Sequence, residues 1–184
     1  LQKVIREEKP DYLVVAFDSP DKTFRHKIYP NYKANRDAPP EELSRQFPYF
    51  EPLVKAYGLS SIRRPGFEAD DIIGTLAIKG KQKGLEVVIV SGDKDMMQLI
   101  SPHIYMLDTM KNKKFMDKEV VEKFGVKADK VVEVMGLMGD SSDHIPGVTG
   151  VGPKTAAELI RKFGSIDALY QRIDEVEKKN VKEK

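Results

Sequence analysis

The sequence predicts an α/β protein with a mostly parallel sheet flanked by helices, and three observations predict it. Two continuous apolar runs, residues 12–17 (Tyr-Leu-Val-Val-Ala-Phe) and 86–90 (Glu-Val-Val-Ile-Val), have the composition of strands covered on both faces. Apolar residues at helical spacing separate them, as in strand–helix–strand units. Acids follow each run directly, Asp18 after the first and Asp93 and Asp95 after the second. Sites in open α/β sheets gather at the carboxyl ends of strands, so the third observation concerns function as well as fold.

Composition sets the outer limits. The 184 residues suffice for one α/β domain with an appendage, and 40% hydrophobic content supports a core. Net charge is only +2, so contact with nucleic acid has to come from local basic patches rather than a polycationic tail. The absence of Cys excludes disulfides and thiolate zinc sites and fits a cytoplasmic location. No signal peptide, repeat or membrane-length apolar run is present, so no membrane partner is expected.

In chain order, residues 1–8 read as an amphipathic helix stopped at Pro10. Residues 12–17 form the first strand, and Asp18 follows it or starts a turn before Ser19-Pro20. Residues 22–36 hold Lys22, Arg25, His26, Lys27, Lys33 and Arg36, interleaved with Phe24, Tyr29 and Tyr32. Basic groups meet phosphates and aromatic faces stack on unpaired bases, although a solvated helix face can carry the same charges. Residues 41–57 have helical spacing with a kink or fresh start at Pro48 and Pro52. Gly66-Phe-Glu-Ala-Asp-Asp opens a helix running to about Lys83, with Glu68 and Asp71 on one face, Asp70 offset, and Ile72, Ile73, Leu76 and Ile78 to bury it.

The strand at 86–90 runs into Ser91-Gly-Asp-Lys-Asp, where one of Asp93 and Asp95 is expected to cap a helix. Residues 103–107 are a third strand, with 115–116 as its hairpin neighbour. Helices are expected at 117–124, capped by Asp117, and at 128–138, where Met135 and Met138 fill core. A further helix at 153–163 is followed by one capped by Ser165 and running through Tyr170. The tail beyond Asp174 is charged and is expected to fray.

The segment 139–160 organises the rest. Asp140 and Asp143 precede a Gly-rich turn from Gly147 through Gly150 and Val151 to Gly152, and Pro153 suits the first position of the following helix. Bare amides at a helix N-terminus bind phosphate, and Lys154 and Thr155 can add a charge and a hydroxyl. Asp-Ser-Ser-Asp is also compatible with a simple Asx turn. Together with Asp18, Glu68, Asp70, Asp71, Asp93 and Asp95, however, the acids exceed what capping needs. With all-oxygen donors they point to Mg²⁺ or Mn²⁺. Two such ions about 4 Å apart stabilise the attacking and leaving oxygens of a phosphoryl displacement.

These stretches closely resemble the 5′-nuclease domain of the bacterial DNA polymerase I family, in the flap-endonuclease superfamily: Ala-Phe-Asp18, Thr-Phe-Arg25, Tyr-Lys33-Ala-Asn-Arg36, Gly-Phe-Glu68-Ala-Asp-Asp71, Ser-Gly-Asp93-Lys-Asp95, and Gly-Asp140 through Gly152. The resemblance covers essentially the whole chain. It implies a PIN-like core at 1–125, an arch at about 22–47 in which Lys33 and Arg36 engage the scissile phosphate, and a helix-hairpin-helix region at 126–184. It further implies a K⁺-like ion at the hairpin carbonyls and a family first strand with its own metal-binding Asp upstream of Leu1. The sequence is therefore expected to be a piece truncated at both ends, poorly stable and nearly inactive on its own. The function expected is a structure-specific 5′ nuclease cutting 5′ flaps, nicked duplexes and single-strand/duplex junctions, as a monomer. The sequence leaves open whether a polymerase follows on the same chain. The alternatives are a non-catalytic helix-hairpin-helix module, which would gain nothing from the acids, and a PIN-type ribonuclease, which would not need the hairpin.

Overall fold

The computed structural model describes residues 1–176, so the last part of the charged tail lies outside the described residues. The chain divides into two compact units: residues 1–30 with 35–76, and residues 31–34 with everything from Ala77 onward.

In the first unit, helix α1 (Gln2–Glu8) precedes strand β1 (Val14–Phe17), and helix α2 (Phe24–Ile28) carries the start of the basic stretch. Residues 29–40 contain no helix or strand, in keeping with the Tyr-Pro-Asn-Tyr and Ala-Pro-Pro interruptions. The segment 41–57 breaks into α3 (Glu41–Ser44) and α4 (Phe47–Ala56), the fresh start that its prolines call for. Strand β2 (Ser60–Arg63) then pairs with β1 in parallel, Val14 opposite Ser60 and Phe17 opposite Arg63.

This pairing corrects two expectations. The first strand is shorter and only half covered, with Tyr12 79% exposed, and its partner is a stretch for which the sequence predicts no strand. The partner is Ser-Ser-Ile-Arg, whose single aliphatic residue leaves no period-two signal to read. Helix α5 (Ala69–Gln82) follows and passes from the first unit into the second after Leu76. Its buried residue is Ala77, while Leu76 and Ile78 are about two-fifths exposed, so the covered face lies one position away from the one expected.

The second unit holds a three-stranded sheet of β3 (Val87–Val90), β4 (Ile104–Asp108) and β5 (Lys113–Phe115), with β4 central, parallel to β3 and antiparallel to β5. Strand β4 is the most covered strand, and Ile104 and Met106 are each 1% exposed. A 3₁₀ helix at Lys94–Leu99 leaves β3 with Met96 and Met97 buried beneath it. Helix α6 (Asp117–Phe124) has the expected bounds, but its N-cap is Met116 rather than Asp117, and Glu119 reaches back to accept the Met116 N–H at 2.8 Å. Helices α7 (Val131–Met138), α8 (Pro153–Phe163) and α9 (Ile166–Gln171) complete the unit. α7 packs on α8 through Val131, Val134 and Leu137 on one side and Ala156, Ala157 and Ile160 on the other. Ser165 caps α9 by accepting the Ala168 N–H at 3.1 Å.

The turn between α7 and α8 is tied to the α7 C-terminus by backbone alone. The Val148 N–H donates to Leu137 O at 2.8 Å, and an antiparallel bridge joins Asp140 to Ile145. Gly139 and Gly147 meet so closely that a Cβ on Gly147 would lie 2.2 Å from Met138 C and 2.5 Å from Gly139 N. Those obstacles are backbone atoms and cannot rotate away. Gly147→Ala is therefore expected to cost about 3 kcal/mol or more by overpacking. Gly152→Ala, where a Cβ meets nothing within 4 Å, should stay within about 1 kcal/mol of wild type. Urea denaturation of the two variants checks this, and equal midpoints would contradict it.

Candidate metal centre and nucleic-acid interface

The acids singled out by sequence fall into two sets of four, one in each unit. In the first unit, β1 delivers Asp18, whose Oδ1 accepts the Ala69 N–H at 2.7 Å and so caps α5 from across the chain. Glu68 is 9% exposed, just ahead of α5, and Asp70 is half-buried in its first turn. Asp71 is engaged on both oxygens. Arg25 donates from Nη1 to Oδ2 at 2.8 Å and from Nη2 to Oδ1 at 2.7 Å, and the Glu68 N–H donates to Oδ2 at 2.9 Å. Arg25 also stands 3.6 Å from Glu68 Oε2 and 4.7 Å from the Phe24 ring centroid. A bidentate guanidinium holds its carboxylate firmly, so Arg25 and Asp71 fasten α2 to the start of α5. Arg25 thus has an internal role beside its expected contact with DNA, and its side chain is 31% exposed.

In the second unit, Asp93 caps the 3₁₀ helix by accepting the Asp95 N–H at 2.9 Å, as one of the pair was expected to do. Asp95 is the anomaly: its Oδ1 is buried without a hydrogen-bond partner. Burial, and then the neighbouring Asp93 charge, push its carboxyl up to about 6, with Asp140 and Asp143 adding to the rise and Lys94 opposing it. Asp140 is 6% exposed; its Oδ1 accepts the Ser142 N–H at 2.8 Å, and its Oδ2 lies 2.9 Å from Lys94 Nζ. Burial alone would raise Asp140, but the Lys94 hydrogen bond and the Ser142 amide outweigh it and hold the carboxyl below its ordinary value.

Asp143 gathers the 31–34 segment. The Tyr32 hydroxyl donates to its Oδ2 at 3.0 Å, the Lys33 N–H donates to its backbone oxygen at 2.9 Å, and Lys33 Nζ lies 3.9 Å from Oδ2. Lys33 sits at φ +56°, a conformation that non-glycine residues adopt only when held. Tyr32 is 5% exposed, so it cannot stack on a base as expected; its ring is core and its hydroxyl positions Asp143. Arg36 is exposed.

In the turn, Gly150 adopts φ +82°, which only glycine takes without strain. Val151 does not fit its expected contact with DNA, because its side chain is 5% exposed and its N–H donates to Val148 O at 2.9 Å. Gly152 leads into Pro153 at the first position of α8, while Gly147, Gly150, Gly152 and Lys154 are exposed and Thr155 is half-buried. The first-turn amides of Lys154 and Thr155 have no intrahelical acceptor, the arrangement that suits phosphate.

Lys94 was overlooked because it reads as spacing between two acids. The Arg25–Asp71 and Tyr32–Asp143 contacts bridge 46 and 111 residues, and nothing local in the sequence announces them.

The donors present fit a divalent ion of the Mg²⁺ class. They are all carboxylate oxygens, and Asp95 Oδ1 is a buried acceptor with nothing to accept from. Among the described residues no three acids or histidines close around one point.

Residues 1–125 match the family described as "5′-3′ exonuclease, N-terminal resolvase-like domain", and residues 126–184 match "5′-3′ exonuclease, C-terminal SAM fold". The chain is similar to DNA polymerase I of Bacillus caldotenax, 43% identical over all of this chain and 21% of the relative. It is also similar to a 5′-3′ exonuclease of Aquifex aeolicus, 42% identical over 93% of this chain and 59% of the relative. The chain thus spans about a fifth of its DNA polymerase I relatives. Its fold is similar to a crystal structure of the T5 D15 protein co-crystallised with metal ions, with a TM-score of 0.84 at 24% identity over 98% of this chain and 72% of that one.

The raised carboxyl of Asp95 gives a pH prediction. Its folded-state value of about 6 exceeds the ordinary 3.8, so between those limits the folded protein binds more protons than the unfolded one and stability falls as pH rises. Above that window the full penalty is present. In chelator, Asp95→Asn should raise stability at neutral pH by about 1–2 kcal/mol, the shift being moderated by partial exposure. The gain should vanish near pH 4, where both side chains are neutral. Thermal melts across that range check it, and a gain independent of pH would contradict it.

Proposed function

Because the chain belongs to the 5′-3′ exonuclease family, we propose that it is a structure-specific 5′ nuclease that hydrolyses DNA phosphodiesters in 5′ flaps and nicked duplexes, leaving a 5′-phosphate. The observation that carries this reading is one continuous segment. The backbone that buries Asp140 at the end of α7 continues through the glycine turn into the first-turn amides of α8. An acceptor for a cation and donors for a phosphate are therefore fixed by the same stretch of chain. Support also comes from the Aquifex relative, named a 5′-3′ exonuclease, and from the T5 D15 protein, described as a flap endonuclease with DNA and metal ions.

The ions in this reading are Mg²⁺ or Mn²⁺, with Asp93, Asp95, Asp140 and Asp143 as donors in the second unit and Asp18, Glu68 and Asp70 in the first. Asp71 completes the first-unit set and also fixes Arg25. When bound, the ions supply Lewis-acid activation of the attacking water and charge relief at the leaving oxygen. The chain's own residues do the rest. Lys33 brings an ammonium to the scissile phosphate, and the Tyr32 hydroxyl and the Lys33 amide hold Asp143 beside it. Arg36 adds a second positive charge from the exposed arch. Gly147, Gly150, Gly152, Lys154 and Thr155 hold duplex phosphates through backbone and a short polar reach, so they position DNA without reading its sequence. A K⁺ ion at the hairpin carbonyls belongs to the same reading.

Residues 1–125 are the nuclease core and 126–184 the hairpin region, a division supported by the two family matches meeting at that point. No helix among the described residues is long and apolar enough to cross a membrane. The reading places the protein in the cytoplasm, a location that the absence of Cys fits, and takes it as a monomer. The relatives named DNA polymerase I are consistent with a polymerase on the same chain.

Cleavage of a labelled 5′-flap duplex in Mg²⁺, beside a matched RNA hairpin, tests the reading. The flap should be cut and the hairpin spared. Asp140→Asn should lower the single-turnover rate by roughly a thousandfold or more, with flap affinity within a few-fold. Lys33→Ala should likewise lower the rate far more than the affinity. Cutting by Asp140→Asn near the wild-type rate, or preferential cutting of RNA, would contradict the assignment.

A further inference from the structure

The ammonium of Lys94 occupies a position that the nuclease reading leaves without a task. It stands between Asp93 and Asp95 on the 3₁₀ helix and reaches 2.9 Å from Oδ2 of Asp140, on the far side of the α7 terminus in sequence. Its side chain is about a third exposed, while that of Asp140 is 6% exposed. Asp140 Oδ1 is already taken by the Ser142 amide, so Lys94 supplies the positive charge on the remaining oxygen. The contact is a direct ion pair between the Lys94 ammonium and the Asp140 carboxylate.

A divalent cation binding Asp140 would bring a second positive charge to the oxygen that Lys94 holds. Two cations on one carboxylate oxygen repel strongly in a site with little water. We propose that Lys94 is a built-in counterion that a divalent cation must displace from Asp140, so that the protein itself sets a threshold for metal binding. It is a positioning residue acting through Asp140. With Lys94 in place, the buried carboxylate is neutralised and oriented before any metal arrives. Without it, Asp140 is a buried unpaired charge, which costs stability but leaves the oxygen open to metal. The exchange also favours doubly charged ions over single ones, since only a stronger charge repays the loss of the Lys94 contact.

This inference rests on the divalent-ion reading above, and calorimetric titration of Mg²⁺ and Mn²⁺ into the DNA-free full-length protein separates the two. Lys94→Met removes the charge at similar length, and Lys94→Gln keeps a donor without the charge. Each should bind the ions roughly tenfold more tightly than wild type, while Lys94→Arg stays near wild type. Both neutral variants should melt earlier than wild type in chelator and gain more from saturating Mg²⁺. In an Asp140→Asn background, Lys94→Met should change affinity by less than about twofold, because the partner is gone.

Unchanged or weaker binding in both neutral variants overturns the inference and leaves the divalent-ion reading standing. Equal tightening in the Asp140→Asn background also overturns it, because Lys94 would then act on the acids at large. A variant unfolded in chelator and rescued by Mg²⁺ supports it, and one unfolded under both conditions makes Lys94 structural and overturns it. A wild-type protein that binds neither ion overturns both readings.

Discussion

Carboxylates removed from water must be neutralised by something, and in the second unit this requirement decides which residues meet. Asp95, Asp140 and Asp143 are wholly or partly removed from water, Asp93 beside them is exposed, and each is answered differently. Asp93 accepts an amide, Asp140 takes an amide and an ammonium, Asp143 takes a phenol and lies near Lys33, and Asp95 keeps one buried oxygen that nothing answers. The first unit solves the same problem with a guanidinium, since Arg25 takes both oxygens of Asp71. The protein thus carries part of its counter-charge within itself.

Backbone packing makes that arrangement possible. Asp140 is buried because Gly139 ends α7 at φ +73° and the turn folds back to place Gly147 against it. A side chain at either glycine would push the turn away from the helix end, and the carboxylate would return to water, where a divalent ion competes with hydration for it. The same fold-back presents the α8 N-terminus, with its proline at the first position and its two unpaired amides. The chemistry proposed for the segment therefore depends on the close packing of Gly139 against Gly147 as much as on its charged groups.

Much of this was legible in the sequence, for physical reasons that can be named. The runs 86–90 and 103–107 announced β3 and β4 through continuous apolar residues, and the more covered β4 is the central strand. The Gly-Val-Gly-Pro turn announced α8 through dihedral freedom and a missing amide. Ser60–Arg63 stayed hidden because its pairing with β1 is made by backbone and its side chains are mostly exposed. Tyr32 misled because an aromatic among basic residues fits base stacking equally well, and only the tertiary contact with Asp143, 111 residues away, buries it. Val151 misled similarly, since glycines on both sides suggested an open loop while the valine turns inward. Lys94 was hidden by its own motif, where a lysine between two aspartates looks like local charge balance although its partner is Asp140.

The account stands or falls on whether these carboxylates hold a divalent ion before any DNA is present. The most direct measurement is the melting temperature of the DNA-free full-length protein through a Mg²⁺ titration, set beside the Asp95→Asn/Asp140→Asn double variant. A ligand that binds the folded state alone raises stability with the logarithm of its concentration once past the dissociation constant. The account predicts that rise for the wild-type protein and a flat response for the variant. A flat wild-type response, or parallel rises in both proteins, would contradict it.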